Sequence, residues 1–66
     1  MTLSARQVEV IELIAIGCGD KEIADRLSIS SDTVDAHVRE IFVKLDAKTR
    51  AHAVAVYIFQ QFGVVR

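Results

Sequence analysis

Apolar residues recur at helical spacing in the first part of the chain. In TLSARQVEVIELIAIG the stripe consists of Val8, Ile11, Leu13 or Ile14, and Ala15. This spacing fits a helix better than the alternation of a strand, and we expect a helix from Ala5 to Ile16. Ser4 and Gln7 have the spacing of a capping box at its start. Gly17 and Gly19 can adopt the left-handed backbone that ends a helix.

Two further stripes predict a short second helix and a longer third one. The second helix begins near Asp20, whose carboxylate can cap free amides, and its apolar face is Ile23, Ala24 and Leu27. The segment SIS then connects it to the third helix, for which Ser30 is a suitable cap. The third helix has the most regular buried stripe in the chain, formed by Val34, Val38, Ile41 and Leu45.

A fourth helix is predicted after the segment DAKT. Thr49 can cap it, it runs from Arg50 to about Phe62, and Gly63 ends it before a short apolar tail. No segment has a convincing strand pattern. The chain is therefore predicted to be all-α, with four helices in one domain covering residues 1–66.

Composition narrows the class of protein. The chain has 66 residues, of which 52% are hydrophobic, with no proline, so it can form a core but hardly an elaborate catalytic cleft. Its one cysteine, Cys18, cannot form an internal disulfide, which favours a reducing compartment such as the cytoplasm. The apolar runs are far below the roughly 20 residues that span a bilayer, and no signal peptide is apparent.

The second and third helices form a candidate DNA-binding corner. Two short helices joined by a tight turn cross steeply, as in a helix-turn-helix, where the second offers its outer face to the major groove. That outer face comprises Ser31, Asp32, Asp35, Ala36, Arg39 and Val43. The net charge of −1 argues in the other direction, because nucleic-acid modules usually carry basic excess.

Several motifs in this order resemble the LuxR-type helix-turn-helix domain, also called the GerE or NarL/FixJ type. They are KEIADRLSIS, TV followed by HV, IF followed by KL, and R followed by AV, and the match extends from Leu3 to at least Val54. The resemblance implies a four-helix bundle without catalysis, cofactor or metal. It implies sequence-specific binding of double-stranded DNA by a bacterial transcription regulator, as in response regulators and the quorum-sensing receptors of acyl-homoserine lactones.

The resemblance also implies roles for individual residues. The expected base-facing residues are Ser31, Asp32, Asp35, Ala36 and Arg39. The expected contacts with the DNA backbone are Lys21, Lys44, Lys48 and Thr49. A homodimer on an inverted repeat is expected through the fourth helix, with a seam of Val54, Tyr57, Ile58 and Gln61. The domain is expected at the end of a longer regulator, after an upstream regulatory domain, or as a protein of its own.

Two positions depart from the family pattern. Asp35 stands where lysine is usual, and Glu40 stands where a neutral residue is common. Asp35 could accept a hydrogen bond from cytosine, remain a surface charge, or mark lost DNA binding. Asp32 is less unusual, because a carboxylate in the first turn favours the helix dipole. The alternative function is therefore a helix-turn-helix that has become a protein-interaction or dimerisation module.

Other candidate chemistry has a simpler interpretation. Arg39 can contact DNA or pair with Asp35, four residues earlier. His37, His52 and Cys18 lack the spacing of a metal site, and Cys18 has no motif for a catalytic thiol. Glu9, Glu12 and Glu22 are better explained as surface acids, one of which is expected to pair with Arg50 or Lys44.

Overall fold

A computed structural model describes residues 2–63 and contains four helices in this range. They are α1 (Ala5–Ala15), α2 (Asp20–Leu27), α3 (Ser31–Leu45) and α4 (Arg50–Phe62). The all-α prediction is confirmed, and every helix begins at the expected residue. The first helix ends one residue early, at Ala15, with Ile16 as its C-terminal cap. The short apolar tail predicted after Gly63 lies outside the described residues.

Polar caps fix the starts of three helices. Ser4 and Gln7 form the predicted capping box of α1, with the Ser4 Oγ accepting from the Gln7 amide at 3.1 Å. Ser30 Oγ accepts from the Thr33 amide at 3.1 Å at the start of α3. Thr49 caps α4 in the same way, as predicted. These local hydrogen bonds satisfy amides that have no partner inside their own helix.

The start of α2 differs from the prediction. Gly19 occupies the cap position with an extended backbone (φ −83°), and no side chain caps the helix. Asp20 is the first helical residue, and its Oδ1, which is shielded from solvent, lies 2.6 Å from Nη2 of Arg50 as an ion pair. The carboxylate therefore links the starts of α2 and α4, because a cationic partner competes better for it than neutral amides do.

A single core lies where the four helices meet. The third-helix stripe Val34, Val38, Ile41 and Leu45 is buried, as predicted. Ile23 and Ala24 of α2 and Ala53 and Tyr57 of α4 join it. In α1 the fully buried residues are Val10 and Ile11, whereas Ala15 is exposed. Since α1 packs against the other three helices, its buried stripe is wider than the prediction, which omitted Val10.

The α2–α3 corner exposes one side of α3. Ser28 ends α2 in the left-handed conformation (φ 58°), so the chain turns over the next two residues and α3 starts at Ser31. The inner stripe of α3 faces the core, which leaves the opposite side to solvent. Within residues 2–63, no helix combines the length and hydropathy that a membrane crossing would need.

Candidate nucleic-acid interface

The outer face of α3 is available to a ligand along its length. Of the residues expected to face bases, Ser31, Asp32, Ala36 and Arg39 are exposed and Asp35 is half-buried. Val43 extends the same stripe by one turn and is 74% exposed. Arg39 is central, since it follows Asp32 by seven residues and precedes Val43 by four. The structure thus brings the expected base-facing residues together on one surface.

Asp35 and Arg39 form an ion pair on this surface. Arg39 Nε lies 3.0 Å from Asp35 Oδ2, one turn apart on α3, and the Arg39 side chain keeps 80% of its exposure. Arg39 has no other ion pair or side-chain hydrogen bond within residues 2–63. The carboxylate that departs from the family pattern therefore has a cationic partner in place, and that partner still faces solvent.

Glu40 has a different partner, on α1. The Gln7 side chain is almost fully buried, and its Nε2 donates to Glu40 Oε1 at 2.5 Å. Gln7 Oε1 accepts from Lys44 Nζ at 2.8 Å and from the Ser4 amide at 3.0 Å. One buried amide thus holds an acid and a base from the second half of α3 against α1. The sequence pattern had suggested Gln7 only as a capping residue.

The third acid of α3 lies at the helix start. Asp32 is in the first turn, where the exposed amides and the helix dipole favour negative charge. The three acids of α3 are therefore each accommodated by local structure: Asp32 by the dipole, Asp35 by Arg39 and Glu40 by Gln7.

The four residues expected to contact the DNA backbone fall into two groups. Lys21, in the first turn of α2, and Lys48, between α3 and α4, are exposed, and their side chains form no ion pair or hydrogen bond within residues 2–63. Lys44 and Thr49 already have protein partners: Lys44 donates to Gln7, and Thr49 Oγ1 accepts from the His52 amide at 3.0 Å.

The expected pairing of Arg50 or Lys44 with Glu9, Glu12 or Glu22 is wrong. Arg50 pairs with Asp20, and Lys44 with Gln7. Glu9 pairs with Arg6 and Glu22 with Arg26, each within its own helix. Neighbours on one helix need no tertiary contact to meet, which explains why these two acids stay local.

The expected dimer seam on α4 divides between core and surface. Tyr57 is buried and belongs to the core, Val54 is half-buried, and Ile58 and Gln61 are exposed. Ile58 and Gln61 line a shallow groove with two large exposed apolar residues, Ile16 and Phe62. Phe62 is 80% exposed. We call Ile16, Ile58 and Phe62 the apolar groove; only Ile58 was among the predicted seam residues.

Tyr57 anchors α4 to α1. Its hydroxyl donates to Glu12 Oε2 at 2.9 Å. Burial, the hydrogen bond to Glu12 and the negative charge of Glu12 raise the pKa of the Tyr57 phenol above its ordinary value. The phenol is therefore a hydrogen-bond donor over the whole neutral range.

The two histidines and the cysteine have different environments. His37 is half-buried, His52 is exposed and accepts a hydrogen bond from the Lys48 amide at 3.4 Å, and Cys18 is a buried core residue. Across residues 2–63, no three His, Cys, Asp or Glu side chains are grouped so that they could hold a metal ion.

Comparison with known proteins identifies the family of the chain. Residues 1–57 match the model of the bacterial regulatory proteins of the luxR family (GerE). The oxygen regulatory protein NreC of Staphylococcus haemolyticus is 46% identical over 52 residues, which are 79% of this chain and 24% of NreC. NreC of Staphylococcus aureus gives the same identity and coverage. The chain thus spans about a quarter of the length of these relatives.

Two solved structures share the fold. The response regulator ChrA of a heme-sensing two-component system superposes with a TM-score of 0.88 at 31% identity, covering 92% of this chain and 30% of ChrA. VqmA bound to DPO superposes with a TM-score of 0.84 at 27% identity, covering 100% of this chain and 33% of VqmA.

Proposed function

The chain belongs to the luxR family of bacterial regulatory proteins, and from this premise we propose that it binds double-stranded DNA sequence-specifically to regulate transcription. The observation that carries the proposal is the outer face of α3. It is solvent-exposed after a tight α2–α3 corner, and it presents Arg39 at its centre between Asp32 and Val43. A helix in this setting can enter the major groove with its side chains toward base edges.

Electrostatics supports DNA binding despite the net charge of −1. Asp35 and Glu40 have protein partners, whereas the Lys21 and Lys48 side chains are unengaged in residues 2–63 and can contact phosphates. Two such contacts give modest affinity for one copy, because each phosphate contact contributes to the salt-dependent part of binding.

A homodimer on an inverted repeat would supply the missing affinity. The apolar groove beside α4 offers a surface for a second copy, with Ile58 and Phe62 exposed and Gln61 at its edge. A self-complementary contact about a two-fold axis would place two α3 helices on two half-sites. Linking the half-sites raises the effective concentration of the second copy and hence the overall affinity.

We further propose that the domain acts in the cytoplasm as the output unit of a longer regulator, controlled by an upstream regulatory domain. The support is coverage: the chain corresponds to 24% of NreC and 30% of ChrA, both regulators by name.

The test is selection of bound duplexes from a randomised pool by the 66-residue chain at low salt, repeated at physiological salt. The expected result is a two-fold-symmetric motif whose affinity declines steeply as salt rises. The same selection is repeated with the chain fused to a strong dimeriser, so that weak self-association of the chain cannot hide a motif. Failure of both forms to enrich any motif would refute sequence-specific binding and favour a protein-interaction module.

A further inference from the structure

We propose that Arg39 recognises a guanine in each half-site and that Asp35 is its positioning residue rather than an independent base reader. This inference rests on the proposed DNA binding and specifies what the α3 surface reads. The geometry that points to it is the ion pair between Arg39 Nε and Asp35 Oδ2 at 3.0 Å, on a side chain that remains 80% exposed.

The ion pair leaves the useful edge of the guanidinium free. Asp35 lies at Nε, so the two terminal nitrogens of Arg39 can still point away from α3 as a parallel pair of donors. Guanine presents two acceptors, O6 and N7, side by side in the major groove, and a planar guanidinium matches them with two hydrogen bonds. Adenine replaces O6 with a donor, and pyrimidines lack this pair of acceptors.

Asp35 contributes orientation and charge compensation. An unrestrained arginine samples many rotamers and can contact any phosphate in reach, whereas a carboxylate at Nε favours the conformations that aim its end outward. Exposed pairs of this kind are weak in water. When a duplex excludes water from the surface, the pair strengthens, and the negative charge of Asp35 is balanced where it would otherwise repel phosphate.

A second ion pair in the chain supplies a matched control. Glu22 and Arg26 on α2 have the same spacing and order as Asp35 and Arg39, and their contact is 3.2 Å. They lie outside the outer face of α3. Removing the charge of Glu22 and removing that of Asp35 change the net charge equally, so any difference between them reports position and not total charge.

The experiment compares selected duplexes for the wild-type chain and the variants Arg39→Lys, Asp35→Asn, Asp35→Ala and Glu22→Gln. The wild type is expected to enrich one guanine per half-site. Replacing that guanine by 7-deazaguanine, which lacks N7, should weaken binding about tenfold or more, whereas inosine, which keeps O6 and N7, should be tolerated better.

Arg39→Lys keeps the charge and should retain binding to random duplexes while losing about tenfold or more of the preference for guanine. Both Asp35 variants and Glu22→Gln should bind random duplexes more tightly, but only the Asp35 variants should lose preference for guanine. Preference unchanged in the Asp35 variants overturns the positioning role. A motif insensitive to Arg39→Lys overturns recognition through the planar pair of donors, and a motif insensitive to 7-deazaguanine overturns guanine recognition. Absence of any motif for both the wild type and its copy fused to a strong dimeriser overturns the proposed function, and this inference with it.

Discussion

Lys44 Nζ lies 2.8 Å from Oε1 of Gln7, so two residues 37 positions apart in the chain share one hydrogen bond at the contact between α1 and α3. The same buried amide donates to Glu40 and completes the capping box of α1. Gln7 therefore joins the start of α1 to the second half of α3, and it adds polar contacts to the apolar packing between these two helices.

Gln7→Ala should destabilise the domain. The substitution removes hydrogen bonds to two charged side chains and half of the capping box, and we expect a loss of about 1 to 3 kcal/mol in the free energy of unfolding. Urea denaturation followed by circular dichroism measures it. Gln60→Ala on exposed α4 surface is the control and should change stability by less than about 0.5 kcal/mol. Equal effects of the two substitutions would contradict the role of Gln7.

Backbone conformation gives a pair of substitutions with opposite signs. Ser28 has φ 58° and Gly17 has φ 99°. Ser28→Gly relieves a left-handed conformation that serine adopts at a cost, and should stabilise by up to about 1 kcal/mol. Gly17→Ala meets no atom within 4 Å, yet should destabilise by about 1 kcal/mol because alanine resists this φ. Thermal unfolding of both variants checks the signs, and a shift of both in one direction would refute the argument.

Tyr57 should titrate above the ordinary pKa of a phenol. It is the single tyrosine in a chain without tryptophan, so alkaline titration of phenolate absorbance reports it directly. Burial in the folded state, the hydrogen bond to Glu12 and the charge of Glu12 raise the pKa of the Tyr57 phenol. As pH rises, the phenol therefore ionises first in the unfolded chain. The stability contributed by the protonated phenol is fully present below the ordinary value and is lost as pH rises through the folded value. Titration of the native and urea-denatured chain at one midpoint would exclude this shift.

The Tyr57 hydroxyl should contribute to the free energy of unfolding about as much as one ordinary hydrogen bond. Tyr57→Phe keeps the buried ring and removes the donor to Glu12, whose carboxylate is exposed and can bind water instead. We expect a loss of about 0.5 to 1.5 kcal/mol at neutral pH, measured by urea denaturation. The variant should also lose the alkaline dependence of stability that Tyr57 causes. Persistence of that dependence would assign it to another group.

The local features of the fold could be predicted from the sequence, and the long-range ones could not. The capping residues Ser4, Ser30 and Thr49 act within three residues of the amides they satisfy, so a short window contains the whole interaction. The partners of Asp20 and Gln7 lie on other helices, and only the packed domain selects them. The ion pair of Asp35 with Arg39 could be anticipated because one helical turn separates them.

The apolar groove was predicted only in part for the same reason. Ile58 belongs to a recognisable stripe on α4, but Ile16 joins it from the end of α1, which the periodicity of a single helix cannot reveal. Tyr57 shares that stripe and is nevertheless buried, because its ring belongs to the core, and its hydroxyl donates to Glu12 of α1. Helical spacing identifies which residues share a side, and the neighbouring helices decide which of them remain exposed.

Ile58→Glu should weaken self-association. A carboxylate in the centre of the apolar groove would oppose its copy across a two-fold axis, and burying it there would be costly. Analytical ultracentrifugation should show a shift toward monomer. Relative to the wild type, the variant should lose more affinity for an inverted repeat than for a single half-site. Gln60→Glu adds the same charge two residues later, on the opposite side of α4, and should leave association unchanged. A monomeric wild type at all concentrations would refute the dimer through this groove.

Lys21→Gln should separate phosphate contacts from base recognition. Lys21 is exposed in the first turn of α2, and its side chain forms no ion pair or hydrogen bond within residues 2–63. Loss of one phosphate contact per copy should weaken binding to selected and random duplexes by the same factor. It should also reduce the slope of log affinity against log salt by about 0.9 per lost contact on B-form DNA. Titrations at several salt concentrations measure both effects. A change in the preferred base sequence, or an unchanged slope, would show that Lys21 does not face the phosphate backbone, and the weight of binding would then fall on Lys48 and the α3 surface.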